Sequence, residues 1–195
     1  GVLSTTAGEI LLDGEPLTAE ARSSFGYMPE ERGLYPKQPI LDQLVYLGQL
    51  HRMSGPAARK GAIELLERFG LGGRTKDKLE SLSLGNQQRV QIAASLLHKP
   101  TVLILDEPFS GLDPVAVDSM VELLRERTSA GVPVLFSSHQ LDLVDRLCDN
   151  MVVLQQGKVI ASGTGDDLRA KAVNRPRPSS SSTTTTRASG CWPPP

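Results

Sequence analysis

Val102-Leu103-Ile104-Leu105-Asp106-Glu107-Pro108 is the stretch that decides the fold. A run of branched apolar residues reads as a strand buried on both faces. Two carboxylates stand where that strand ends, and strands of an open parallel sheet offer their carboxyl ends to ligands. An acid pair there suits a Mg²⁺–nucleotide site, with one acid holding the metal and the next handling an attacking water. Acids also follow buried strands merely to meet solvent, so Asp106 and Glu107 alone leave both readings open. Ser110-Gly111-Leu112-Asp113 comes directly after, and Ser137-Ser138-His139 later.

Working outward, strands and helices alternate. Thr101 to Asp106 reads as a strand and Pro114 to Arg127 as a helix with proline well placed in its first turn. Pro133 to Ser137 is a strand, and Gln140 to Cys148 a short helix. Met151 to Leu154 and Lys158 to Ala161 flank Gln155-Gln156-Gly157, a hairpin signal. Upstream, Glu9 to Leu12 runs into the turn dipeptide Asp13-Gly14, and Ser24 to Met28 forms a strand ending at Pro29. Leu41, Leu44, Val45, Leu47 and Leu50 repeat at helical spacing. So do Ala62, Ile63, Leu65, Leu66 and Phe69 before Gly70, and Gly85 to His98 reads as a third helix. The expectation is an α/β core with an all-helical lobe inserted at about residues 40–98.

Composition narrows the function classes. The 195 residues are 39% hydrophobic and 22% charged, ordinary for a globular protein with a real core. A net charge of −1 gives no electrostatic reason to expect a nucleic-acid partner. Cys148 and Cys191 form no CxxC and no Cys/His cluster, which argues against structural zinc and a disulfide framework and fits a reducing cytosol. No apolar stretch approaches the roughly 20 residues needed to span a bilayer, and Gly1 to Gly8 has no signal-peptide pattern. Any membrane association is therefore expected through a partner. From about Asn174 the chain turns to Pro, Ser and Thr, so residues 1–173 are expected to form the domain and 174–195 a disordered tail.

In Leu82-Ser83-Leu84-Gly85-Asn86-Gln87-Gln88-Arg89-Val90 a serine and a glycine open a helix. Free N–H groups and the helix dipole favour phosphate at such a place, although Ser83 serves equally as a plain N-cap. The combination is more specific. Leu82-Ser83-x-Gly85-x-Gln87, the strand ending Asp106-Glu107-Pro108, Ser110-Gly111-Leu112-Asp113 and then His139, in this order, resemble the ATP-binding subunits of ABC transporters over about residues 8–168. Leu84 and Asn86 depart from the family's usual LSGGQ at positions that vary among its members.

The resemblance implies a P-loop NTPase-like (RecA-like) α/β core with an inserted all-helical signature subdomain, incomplete at its N-terminus. It implies ATP and Mg²⁺ as cofactors. Asp106 is similar to the Walker B aspartate that holds Mg²⁺, Glu107 to the catalytic glutamate that polarises water, and His139 to the switch histidine at the γ-phosphate. Ser83, Gly85, Asn86 and Gln87 match the signature segment, of which Ser83 and Gly85 reach a γ-phosphate bound by a second subunit in a head-to-tail dimer. Asp113 matches the loop linking the two sites, although beside Pro114 it also reads as a helix N-cap.

Ser24 to Pro36 resembles the family's Q-loop segment, which joins core to helical lobe and faces the membrane subunit. Glu30 stands where glutamine is usual, and its carboxylate can still meet Mg²⁺ or its water. Pro29-Glu30-Glu31-Arg32-Gly33-Leu34-Tyr35-Pro36 resembles the sodium-efflux and ABC-2-type exporter branch, implying a transmembrane permease partner contacted through Glu30–Pro36. The implied location is cytoplasmic, peripheral on the inner face of the cell membrane. No G-x-x-x-x-G-K-[ST] run occurs in the 195 residues, and Gly157-Lys158 lies in a hairpin. The expectation is an exporter ATPase subunit present as a fragment, weak or inactive alone. A catalytically dead regulatory subunit and a non-transport ABC ATPase are the alternatives.

Overall fold

The computed structural model describes residues 5–31, 33–173 and 187–189. Arg32, Cys191 and most of the expected tail lie outside the described residues. A six-stranded sheet runs β3-β4-β5-β8-β6-β7. Its parallel part is β3 (Phe25–Met28), β4 (Val102–Asp106) and β5 (Val134–Ser138), with Met28 opposite Leu105 and Asp106 opposite Ser137. The carboxyl ends of all three strands therefore lie side by side. β6 (Met151–Gln155) and β7 (Lys158–Gly163) form the hairpin expected around Gly157, and β8 is Arg187–Ser189. Upstream, β1 (Leu11–Leu12) and β2 (Glu15–Pro16) turn through Asp13 and Gly14, both at positive φ, as type I′ geometry demands. The short helix α1 (Ala19–Ser23) follows, capped by the Thr18 hydroxyl.

The helical lobe contains α2 (Ile40–Leu50), α3 (Gly55–Arg68) and α4 (Leu84–Leu96), with short 3₁₀ turns at Gly72–Arg74 and Leu79–Ser81. Ser54 caps α3 with proline directly inside, and Gly70 at φ 72 lets the chain leave it. Ile40, Leu44, Leu66, Leu71, Ile92 and Leu96 are fully buried and continue into the core made by Met28, Leu103, Leu105, Phe109 and Phe136. α5 (Pro114–Ser129), α6 (Leu141–Leu147) and α7 (Gly165–Val173) complete the structure.

One expectation is corrected. β4 is fully buried only on its Leu103–Leu105 face: on the other, Val102 is buried but Ile104 is half-buried and lies in register between Tyr27, 60% exposed, and Leu135, 36% exposed. The described residues leave that row of the sheet uncovered. Within the stretch 174–195, the described residues Arg187–Ser189 pair antiparallel with both β5 and β6. β5 and β6 do not pair with each other, and the backbone groups along the gap between them accept a third strand.

Two joints tie the lobe to the sheet. Gly26 in β3 backs onto α4 so closely that a methyl there would overlap the Ser95 carbonyl oxygen and lie 2.7 Å from Leu103 Cδ2. The imidazoles of His51, after α2, and His98, after α4, stack with centroids 3.7 Å apart. Their ring nitrogens reach the carbonyls of Ser23 (3.3 Å), at the end of α1, and Phe25 (3.1 Å), at the start of β3. Burial, and next the neighbouring His51, hold the His98 pKa below its ordinary 6.5, against the raising effect of the bond to Phe25.

Gly26→Ala is expected to cost about 1–3 kcal/mol in urea unfolding, because neither the carbonyl nor the packed leucine can give way. The unfolded chain binds the His98 proton better than the folded one, so this contribution is intact above pH 6.5 and is lost as pH falls below it. The urea midpoint should drop on acidification from about pH 7 to about pH 5, and His98→Gln should flatten that drop.

Candidate functional site

Asp106 ends β4 and Glu107 follows in the left-handed region at φ 49, a conformation a glutamate holds only when its surroundings impose it. They do so on every side. The Glu107 N–H donates to Ser137 O (3.1 Å) and Oγ (3.3 Å), while the Ser137 hydroxyl donates to Asp106 Oδ1. The Glu107 carbonyl accepts from Ser110 N–H (3.1 Å) and from Gln88 Nε2 (3.2 Å), which also reaches Pro108 O (3.3 Å). Its side chain is 6% exposed, and Oε1 meets His139 Nδ1 at 3.0 Å. Oε2 is buried with no hydrogen-bond partner among the described residues.

His139 follows β5 and keeps 55% of its side chain exposed, at the edge of a cleft of about 830 Å³ also lined by Leu112, Gln140 and Leu143. With Nδ1 committed as donor to Glu107, Nε2 is the nitrogen left for another molecule. Ser138 is fully buried, and its hydroxyl accepts from the Gln140 N–H at 3.1 Å, fixing the turn that carries His139.

The acid–imidazole cluster fits a nucleotide–metal group on two observations. A buried carboxylate oxygen lacks a partner among the described residues, and a second carboxylate is oriented by a serine hydroxyl. Among the described residues no group of three or more His, Cys, Asp or Glu side chains could hold a metal by itself. Mg²⁺ suits this, since it takes one or two carboxylates and completes its shell with water and phosphate oxygens.

The remaining expected residues lie outside this cluster. Ser83 caps α4, its hydroxyl accepting from Asn86 N–H at 3.4 Å, so the capping reading holds whatever else Ser83 does. The Gln87 side-chain amide is spent on Leu82 O at 2.8 Å. Gly85 lies against the loop after Glu107: a methyl on it would sit 3.1 Å from Gly111 O. Asp113 caps α5 through Ala116 N–H at 2.9 Å. Ser83, Leu84 and Asp113 are exposed, and none of their hydrogen bonds joins them to Glu107 or His139. Glu30 is exposed two residues past β3, at the same end of the sheet as Asp106, and Gln91 Nε2 holds the preceding Pro29 carbonyl at 2.6 Å.

Sequence reasoning missed Ser137 and Gln88. The second had a legible signal, a glutamine pair next to the helix-opening serine and glycine. The first had none, because a serine at a strand end is commonplace.

The ABC transporter family model matches residues 1–110, and the chain belongs to that family. It is 47% identical to the uncharacterized ABC transporter ATP-binding protein YhaQ of Bacillus subtilis (strain 168) over 169 residues, 87% of this chain and 57% of YhaQ. It thus spans little more than half the length of that relative. Among solved structures, an ATP-binding subunit of an ABC transporter superposes with TM-score 0.78 at 32% identity, covering 89% of this chain and 73% of that one. The dimeric bacterial ABC transporter cassette MJ0796 gives TM-score 0.72 at 25% identity, covering 82% and 74%. The protein is therefore an ABC-type ATP-binding domain with a P-loop NTPase-like fold.

Asp113→Ala should lower stability by about 1 kcal/mol in denaturant melts and Asp113→Asn by much less, since asparagine keeps the capping oxygen. Equal losses would show that the cap is not what Asp113 contributes to stability.

Proposed function

We propose that this chain is the ATP-hydrolysing part of an exporter of the ABC-2 type, acting in a head-to-tail pair of such domains beneath a membrane permease. The observation that carries the reading is Glu107: a buried carboxylate at the carboxyl edge of a parallel sheet, one oxygen fixed by His139 and the other without a partner among the described residues. Glu107 Oε2 accepts a hydrogen bond from the attacking water and draws off its proton as the water oxygen bonds to the γ-phosphorus and the bond from that phosphorus to the bridging oxygen breaks, releasing ADP. His139 fixes the carboxylate through Nδ1 and offers Nε2 to the phosphate. Asp106, oriented by Ser137, would hold Mg²⁺, and Glu30, at the same end of the sheet, would meet a metal-bound water. When bound, Mg²⁺ offsets charge on the phosphates.

The exposure of Ser83 and Asp113, apart from the acid cluster, supports the service of the Ser83–Gly85 segment and Asp113 to a nucleotide held by a second copy. The permease surface is assigned to Glu30–Pro36. Its support is a cavity of about 350 Å³ where half-exposed Tyr35 and Tyr46 flank Gln38 and Asp42. The Tyr35 N–H is pinned to the buried Gln43 side chain at 3.1 Å. No helix among the described residues is long and apolar enough to cross a membrane.

Phosphoryl transfer depends mainly on positioning, and the 195 residues contain no Gly-rich loop ending in Gly-Lys-Ser or Gly-Lys-Thr. The purified chain should bind ATP weakly and turn it over no faster than background. Supplying a preceding phosphate-binding segment should restore Mg²⁺-dependent release of phosphate, and Glu107→Gln should then lower it by about 10²–10⁴-fold while ATP binding persists. Turnover indifferent to Glu107→Gln would refute the proposal.

A further inference from the structure

We propose that Gln88 is a positioning residue through which α4, the helix opened by Ser83 and Gly85, sets the orientation of Glu107. The inference rests on the reading of Glu107 as the catalytic carboxylate. Three glutamines of α4 are buried, and each spends its amide on a different carbonyl: Gln87 on Leu82 O, Gln91 on Pro29 O and Gln88 on Glu107 O and Pro108 O. Only Gln88 reaches the acid cluster. A side chain of this polarity is buried at little cost only when its amide is satisfied, and the two carbonyls satisfy both N–H groups of Gln88.

The carbonyl chosen is the one that matters for aim. Glu107 is held at positive φ, so its two flanking peptides decide where its side chain points. Ser137 fixes the first peptide through the Glu107 N–H, and Gln88 with the Ser110 N–H fixes the second through the Glu107 carbonyl. Released from Gln88, the second peptide can rotate toward an ordinary conformation, swinging Oε1 away from His139. Gly85, packed against Gly111, holds α4 against the same loop, so a shift of α4 and a shift of Glu107 are mechanically one event. The signature helix and the hydrolytic carboxylate of one chain are thereby linked by a single side chain.

Gln88→Met, similar in size but without a donor, tests this, with Gln88→Asn as the second variant because its shorter amide cannot span the gap. In the 195-residue chain, amide exchange at Glu107 and Ser110 should quicken about tenfold in either variant, with the amides of α4 itself unchanged. In the form supplied with a phosphate-binding segment, kcat should fall about 10- to 100-fold with KM for ATP within about twofold. Unchanged exchange at Glu107 and Ser110 would overturn the role of Gln88, as would full turnover in a variant whose Glu107→Gln counterpart is inactive. Turnover that survives Glu107→Gln would instead overturn the underlying reading of Glu107.

Discussion

The peptide at Glu107, held in the left-handed region at the end of β4, is the constraint from which the site follows. A glutamate does not stay there unaided; the conformation costs on the order of 1–3 kcal/mol and survives because its surroundings over-determine it. Here the register of β4 with β5 supplies the first restraint, since Asp106 lies opposite Ser137. One serine then serves two acids, donating to the Asp106 carboxylate and accepting from the Glu107 N–H. The turn after β5 brings His139 onto the Glu107 carboxylate. Without parallel pairing in this register, the two acids would be solvent-facing side chains at a strand end.

The helical lobe is attached at that place by polar groups rather than by grease alone. α4 has no clean apolar stripe because it is buried nearly all round, with Gln87, Gln88, Gln91 and Ser95 inside beside Val90 and Ile92. Such a helix is stable only if every amide has a partner, and each glutamine finds a carbonyl in a neighbouring segment. The lobe is in this way registered against β3 and the loop after β4, while the stacked His51 and His98 grip the end of α1 and the start of β3.

Much of this was legible in the chain, for identifiable reasons. The run Val102–Leu105 could only be a core strand, Pro114 behind Asp113 marked a helix start, and Gly157 between two apolar runs marked a hairpin. The order of Ser83, Gly85, Asp106, Glu107, Asp113 and His139 by itself points to the family. Legibility ended where function rests on distance. Ser137 and Gln88 are polar residues on ordinary elements, and only tertiary register turns them toward Glu107. The short α1 and the α7 helix escaped because their signals are caps, Thr18 in one case and the reciprocal Thr164–Asp167 bonds in the other, with no long apolar period behind them. The half-open face of β4 at Ile104 could not be read locally either, since a Val-Leu-Ile-Leu run reads the same whether one face or both are covered.

In the proposed mechanism, acids and imidazole from one copy close on a nucleotide completed by the signature residues of another. A structure of the protein, supplied with a phosphate-binding segment and bound to a non-hydrolysable ATP analogue and Mg²⁺, measures this directly. The predicted result is Glu107 Oε2 and His139 Nε2 at the terminal phosphate of one nucleotide, with Ser83 and Gly85 of a second copy on that same phosphate. A nucleotide seated away from Asp106 and Glu107, or one met by both of these groups from a single copy, would contradict it.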